Sequence, residues 1–106
     1  MIEISDNEFQ EKVLKRSLKL PIVVDFWASW CMPCKMLGPV LERMEKRYRG
    51  RFSLVKINID ENKEMAQQYD VMSIPSVKMF KEGKLAAEFT GAIPDEVVIE
   101  WLDRNL

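Results

Sequence analysis

The amino-acid sequence predicts one α/β domain, in which a mixed β-sheet of about five strands is flanked by about four helices. β-rich segments alternate with segments of helical periodicity along most of the chain, which favours parallel strand pairs. Two further β-rich segments flank a short turn and predict an antiparallel hairpin. The 106 residues contain no repeat or linker-like segment and are 47% hydrophobic, so residues 1–106 are predicted to bury a single core.

The first part of the chain contains two predicted strands with a helix between them. Ile2–Ile4 is a short first strand, and Ile22–Phe26 is an apolar, β-branched strand that follows Pro21. A polar residue at one of positions 5–7 supplies the N-cap of the intervening helix. The apolar face of this helix contains Phe9, Val13 and Leu14.

A long amphipathic helix is predicted to begin at Pro33. Its apolar residues recur at steps of three and four, which is typical of a helix with one buried face. Pro39 should bend this helix, because proline removes a helical N–H and clashes with the preceding turn. Gly50 is expected to end it, and Met36 is expected to pack against neighbouring side chains. The predicted buried face comprises Cys34, Leu37, Leu41, Met44 and Tyr48.

The rest of the chain contains three strands and two helices. A strand over Ser53–Ile59 is followed by a short helix over Asn62–Tyr69, strands over Val77–Phe80 and Leu85–Phe89, and a last helix capped by Asp95. The turn between the last two strands contains Gly83, which we expect to adopt a positive φ. The last helix should bury Val98, Trp101 and Leu102.

The charge and cysteine content narrow the possible functions. The formal net charge is only −1, so the chain lacks the basic surface of a nucleic-acid-binding protein. No apolar stretch is long enough for a membrane span, and the first residues do not resemble a secretory signal. With only two cysteines, a disulfide-stabilised scaffold is not expected. We therefore predict a cytoplasmic protein with neither nucleic-acid nor membrane partners. We also expect it to be a monomer.

The two cysteines, Cys31 and Cys34, lie where the second strand meets the long helix. Unpaired N–H groups and the helix dipole at a helix N-terminus stabilise an anion, so a cysteine there forms the reactive thiolate readily. A metal site is the alternative, but the chain has no histidine and no third cysteine, so two chains would have to share it. The placement favours thiol–disulfide exchange, and we predict no bound metal.

Residues 25–35, with the sequence Asp-Phe-Trp-Ala-Ser-Trp-Cys-Met-Pro-Cys-Lys, resemble the active-site segment of the thioredoxin family. The main departure is Met32, which stands where the family usually has glycine. The resemblance extends in register over essentially the whole chain and implies a thioredoxin fold. Further matching positions are Pro39, Asp60, Tyr69, Ile74–Ser76, Phe80–Gly83 and Thr90–Ala92.

The resemblance implies a role for each residue of the cysteine site. Cys31 would be the attacking thiolate at the exposed end of the helix, and Cys34, one turn later, the resolving thiol. Asp25, a carboxylate within an apolar strand, would exchange a proton with Cys34 with the support of Lys56. Met32, Pro33 and Lys35 would tune the redox potential.

The resemblance also implies a docking surface around the cysteines. Pro75 would form a cis peptide bond beside them, and the backbone of Ile74 would pair with the substrate chain. The substrate-binding residues would be Trp30, Met72, Ile74, Pro75, Gly91 and Ala92, with Ile93 as a further neighbour. We expect Met32 and Met72 to influence the choice of partner, because exposed methionines adapt to varied surfaces.

These residues predict a protein disulfide reductase that needs no bound cofactor, since the cysteines carry the electrons themselves. Its partners would be disulfide-containing client proteins and a thioredoxin reductase that recharges it. One alternative is a thiol oxidase or isomerase, which a redox titration would distinguish. A second alternative is a thioredoxin-fold binding subunit, which would keep its function when both cysteines are replaced by serine.

Overall fold

A five-stranded mixed sheet forms the centre of the molecule in the computed structural model, which describes residues 2–106. The strands are β1 (Ile2–Glu3), β2 (Ile22–Trp27), β3 (Ser53–Asn58), β4 (Ser76–Lys81) and β5 (Lys84–Thr90). Their order across the sheet is β1-β3-β2-β4-β5. The first three in this order are parallel, whereas β4 is antiparallel to both β2 and β5. This arrangement confirms the predicted mixed sheet.

Helical segments connect the strands. The regular helices are α1 (Met32–Arg47), α2 (Lys63–Gln68) and α3 (Asp95–Asn105). The N-terminal helical segment is irregular: it consists of a 3-10 turn at Asp6–Glu8, a π-helical stretch at Gln10–Lys15 and a 3-10 turn at Arg16–Leu18. No helix within residues 2–106 combines the length and apolar character that crossing a bilayer requires.

The sheet separates two hydrophobic cores. Along β2, Val23 belongs to the core beneath α1 and α3, whereas Ile22 and Val24 belong to the core beneath the N-terminal helical segment and α2. This alternation follows from the period of two in a strand. The first core includes Leu37, Leu41, Met44, Val98, Trp101 and Leu102; the second includes Phe9, Val13, Phe26, Ile57, Ala66 and Phe80. Helices therefore cover both faces, as the sequence predicts.

A two-residue turn joins β4 to β5. Gly83 has a φ of 80°, as predicted, and the preceding Glu82 has a φ of 53°. Positive φ at both central residues is typical of a type I′ turn, whose twist matches that of the flanking strands. The hairpin strands consequently extend to the turn itself and are longer than the sequence predicts.

The long helix differs from its prediction in two respects. It ends at Arg47, and the left-handed residues Arg49 and Gly50 follow, so its end precedes the predicted glycine. Met36 is 64% exposed, so the expectation that it packs is wrong. It lies on the opposite side of the helix from the buried Cys34–Leu37–Leu41 face. The helix is continuous across Pro39, and the bend predicted there stays a prediction.

Candidate functional site

The two cysteines form a disulfide at the N-terminus of α1. Cys31 is the N-cap residue, and its Sγ accepts a hydrogen bond from the backbone N–H of Cys34 at 3.2 Å. This contact uses one of the N–H groups that a helix N-terminus leaves unpaired, so the same N–H can stabilise a Cys31 thiolate when the disulfide opens. Within residues 2–106, no group of three or more His, Cys, Asp or Glu side chains is arranged to hold a metal ion.

Cys31 is more buried than the sequence suggests. The sequence predicts an exposed position at the helix end, but only 5% of Cys31 is exposed, and Cys34 is 2% exposed. Cys31 forms part of the wall of an open groove of about 460 Å³, whereas Cys34 does not line this groove. A partner sulfur entering this groove would meet Cys31 first. The groove is lined by Trp30, Cys31, Met32, Pro33, Ile59, Val71, Met72, Ser73 and Ile74.

Exposed apolar side chains surround this groove. Trp30 is 68% exposed, and its indole Nε1–H donates a hydrogen bond to Asp60 Oδ2 at 2.9 Å, which fixes the ring beside the disulfide. Met32 is 65% and Met72 91% exposed. An apolar cluster of this kind on a small domain is typical of a contact surface. Lys35 is also exposed, on the first turn of α1.

The loop before β4 forms the opposite wall. The Ile74–Pro75 peptide bond is cis, as the resemblance implies, and Ile74 O lies 3.9 Å from Cys31 Sγ. Gly91 N–H donates a hydrogen bond to Pro75 O at 2.8 Å, which joins the loop after β5 to this wall. Gly91 has a φ of 92°, a conformation that favours glycine.

Ala92 and Ile93 lie outside this groove. Both line a second, smaller groove of about 260 Å³ together with Met36. The structure thus brings Trp30 and the residues around it together with Ile74, while the end of the loop after β5 lies on a neighbouring surface.

Asp25 is a fully buried carboxylate on β2. Its side chain has no exposed surface, and neither oxygen has a hydrogen-bond partner among the described residues. Loss of solvation raises the pKa of Asp25 to about 7, an effect that Lys56 opposes and that Glu3 and Glu42 reinforce. A carboxyl group with this pKa can both accept and donate a proton near neutral pH.

Lys56 lies directly opposite Asp25 in the pairing of β2 with β3. Its Nζ is 4.3 Å from the centroid of the Trp27 ring, a cation–π contact. Gly38 of α1 leaves space beside it, since a Cβ at that position would lie 3.5 Å from Nζ. The ammonium group is therefore held between the sheet and the helix.

Sequence reasoning missed several residues of this site. Glu3 accepts a hydrogen bond from Trp27 Nε1 at 3.0 Å, and its charge acts on Asp25. Val71 and Ser73 line the groove beside the predicted Met72 and Ile74. The loop residues could have been found from their place next to Met72. The role of Glu3 depends on the strand register, which no local sequence pattern predicts.

Comparisons with known proteins agree with this site. The thioredoxin family profile matches residues 1–104. A thioredoxin from Rickettsia bellii is 41% identical over 103 residues, which cover 97% of this chain and 96% of the relative. Thioredoxins from Acidithiobacillus ferridurans and Pseudomonas aeruginosa are 42% and 38% identical over 106 residues, covering all of this chain and 96% of each relative. With its redox-capable cysteine pair and mixed sheet, the chain belongs to the thioredoxin family.

Proposed function

We propose that this protein reduces disulfides in partner proteins through its Cys31–Cys34 pair. The observation that carries the proposal is the position of the pair, at the N-terminus of α1 and at the wall of an apolar groove. A dithiol–disulfide reductase agrees with the thioredoxin relatives, and the oxidase, isomerase and binding-subunit alternatives are not favoured.

The reaction proceeds through two exchanges. The Cys31 thiolate attacks one sulfur of a partner disulfide, which forms a mixed disulfide and releases the other partner sulfur as a thiolate. The Cys34 thiolate then attacks Cys31 Sγ and displaces the second partner sulfur. Two electrons pass to the partner, whose two thiolates take up protons, and the Cys31–Cys34 disulfide remains. The groove supports an attack by Cys31 before Cys34, because Cys31 lines it and Cys34 does not.

Asp25 is proposed to serve as the acid/base group for Cys34. It shares a sheet face with Val23, which packs beneath α1, the helix that carries Cys34. In its carboxylate form Asp25 accepts the Cys34 proton before the second exchange, and in its protonated form it returns a proton when the disulfide is reduced again. Lys56 supports it by stabilising the carboxylate form.

Family membership implies disulfide-containing clients and a reductase as the general partners. We propose that clients dock on the groove, with the backbone of Ile74 pairing with the client chain and Trp30 and Met72 in contact with its side chains. Pro75, Gly91 and Ala92 would complete the docking surface. We further propose that Met32, Pro33 and Lys35 tune the potential and that the protein works in the cytoplasm, a reducing compartment that suits a catalytic cysteine pair.

Trapping the mixed disulfide tests the roles of the two cysteines. The Cys34→Ser variant should accumulate a covalent complex with a disulfide-containing protein, because its Cys31 attacks and nothing releases the product. Cys31→Ser should accumulate none. Complexes with Cys31→Ser alone would reverse the two roles. Measurement of the reduction potential tests the direction, since a strongly oxidising value would contradict a reductase.

Replacing single methionines tests the docking surface. Met32→Ala and Met72→Ala should change the relative rates at which several protein disulfides are reduced, because both side chains border the groove. Leu18→Ala is the matched control, since Leu18 is as exposed as Met32 but lines neither groove. Met32→Gly, which restores the usual family residue, should shift the relative rates as well. An unchanged rate profile in every variant would contradict this role.

A further inference from the structure

Three charged side chains form a row across three neighbouring strands. In the parallel pairing of the sheet, Lys56 of β3 is the direct partner of Glu3 on β1 and of Asp25 on β2. Directly paired residues of adjacent strands project to the same face of a sheet. One ammonium group is thus flanked by two carboxylates, of which Asp25 is buried and Glu3 is exposed.

Trp27 connects the outer carboxylate to the ammonium group. Its indole Nε1–H donates to Glu3 Oε2 at 3.0 Å, while Lys56 Nζ lies 4.3 Å from the centroid of its ring. Trp27 is two residues after Asp25 on the same strand and therefore faces the same way. Glu3 therefore holds the ring against which the Lys56 ammonium rests.

We propose that Glu3 is a positioning residue for the exchange reaction, which controls the ionisation of Asp25 by its own charge and by its competition for Lys56. This inference rests on the proposed acid/base role of Asp25. The other charged group acting on Asp25 is Glu42 of α1, while β4 places the uncharged Val77 opposite it. Removal of the Glu3 charge therefore leaves Lys56 with one carboxylate fewer to stabilise.

The direction of the effect follows from these charges. Repulsion by Glu3 adds to burial in raising the pKa of Asp25, and Lys56 lowers it. Without the Glu3 charge, the repulsion ends and Lys56 acts on Asp25 alone, so both changes favour the carboxylate. Glu3 and Asp25 are two strand spacings apart, about 10 Å, at which one charge shifts a titration by roughly half to one pH unit.

Titration of the Asp25 carboxyl carbon by NMR, in the oxidised protein, tests the proposal. Glu3→Gln should move this titration to lower pH by roughly half to one unit. Glu100→Gln is the matched control: it removes the same charge from an exposed position on α3 and should leave the titration unchanged. In 1 M NaCl the difference between wild type and Glu3→Gln should shrink, because Glu3 is exposed and salt screens its charge. An unchanged Asp25 titration in Glu3→Gln would overturn the proposal.

The Glu3→Gln variant also distinguishes an effect of the Glu3 charge from an effect of its hydrogen bond to Trp27. The glutamine side-chain oxygen still accepts a hydrogen bond from the Trp27 indole, so a purely structural Glu3 would give a wild-type titration in Glu3→Gln and an altered one only in Glu3→Ala. That result would overturn the electrostatic role. A charge effect predicts an acid shift in both variants.

The pH dependence of mixed-disulfide release extends the test to the reaction. In Glu3→Gln the release rate should rise at a lower pH than in the wild type, by the same shift as the NMR titration. A shifted titration with an unmoved rate profile would overturn the acid/base role of Asp25 and with it the part of Glu3 in the reaction. If only the shift of the Asp25 titration in Glu3→Gln were absent, the proposal for Glu3 would fail and the proposed reductase function would still stand.

Discussion

Two charged side chains are buried in this sheet, and their surroundings are opposite. Lys78 on β4 is 3% exposed and forms an ion pair with Glu88, its direct partner on β5. Asp25 on β2 has no exposed surface, and neither of its oxygens has a hydrogen-bond partner among residues 2–106. They also lie on opposite faces, since Asp25 aligns with Val23 and Lys78 is the direct partner of Val24.

The contrast distinguishes a buried charge that has a partner within the sheet from a buried charge that has none. A buried ion pair with one half-exposed member satisfies its polar atoms and contributes little beyond specifying how the strands pair. A buried carboxylate without a partner destabilises the fold whenever it is ionised, so its retention requires another explanation. Its position beneath the helix that carries Cys34 agrees with the proton transfer that we propose for it.

The largest effect is expected from Asp25→Asn. The pKa of Asp25 rises from 3.8 to about 7 on folding, so its ionisation costs the native state about 4 kcal/mol above pH 7. Below pH 3.8 the carboxyl is neutral in both states and the cost is absent. The variant should therefore be more stable than the wild type by about 4 kcal/mol at pH 9 and similar to it near pH 3.5, as measured by denaturant unfolding.

The same variant should slow the release of mixed disulfides by about 10²-fold near neutral pH, because the amide cannot accept a proton. Lys78→Met is the matched control, since it removes a buried charge elsewhere in the sheet. A stability gain that did not vary with pH would contradict the assignment of the effect to ionisation.

An intermediate effect is expected when the ion pair of Lys78 is broken from one side. Glu88→Gln leaves the buried ammonium without its counter-charge and should destabilise the protein by about 2 kcal/mol in denaturant unfolding. Lys78→Met replaces the ammonium with an apolar group of similar size and leaves Glu88 half-exposed, so we expect a change within about 1 kcal/mol.

Both variants should retain the wild-type rate of disulfide reduction, because neither residue borders the groove. Equal losses of stability in Glu88→Gln and Lys78→Met would mean that the pair itself stabilises the fold. Lys78 and Asp25 would then differ less in their effects on stability than the burial of Asp25 suggests.

The two buried charges differ in how far the sequence reveals them. Asp25 interrupts the run Ile22–Trp27, so a carboxylate within an apolar strand was visible from the pattern alone. Lys78 occupies an alternate position of β4, where a lysine is normally expected to reach solvent. Its burial depends on Glu88 lying directly opposite, and that pairing is set by the hairpin register.

Periodicity predicted the helix faces and strands, because burial on one face leaves a pattern in a single segment. Contacts between different segments leave no such pattern in the sequence. The hydrogen bond from Trp30 to Asp60 depends on where a strand ends. The row of charges formed by Glu3, Lys56 and Asp25 depends on the strand register. No local pattern predicts either one. The irregular geometry of Asp6–Leu18 likewise could not be distinguished from an α-helix by its apolar spacing.

A smaller effect is expected from Lys56→Met. Lys56 is the group that lowers the pKa of Asp25, so its removal should move the Asp25 titration to higher pH. Ionised Asp25 then loses an attraction, and the protein should be about 1 kcal/mol less stable than the wild type at pH 9. At pH 3.5, where Asp25 is neutral, this electrostatic loss should be absent. Equal losses at both values would show that Lys56 acts by packing.

The smallest effect is expected from Gly38→Ala, which tests whether Lys56 needs the space that this glycine leaves. Alanine in a helix interior is about 1 kcal/mol more favourable than glycine, but here its methyl group would contact the Lys56 ammonium at 3.5 Å and remove part of its solvation. In the wild-type background the two terms should nearly cancel.

A double-mutant cycle with Lys56→Met isolates that contact. Without the ammonium, Gly38→Ala should give the full helix gain of about 1 kcal/mol in denaturant unfolding, so the coupling energy between the two sites should be at least about 0.5 kcal/mol. Additive changes would mean that the glycine serves only the packing of α1. The Lys56 ammonium would then reach Asp25 without help from the helix, and the sheet alone would determine how strongly the buried carboxylate is stabilised.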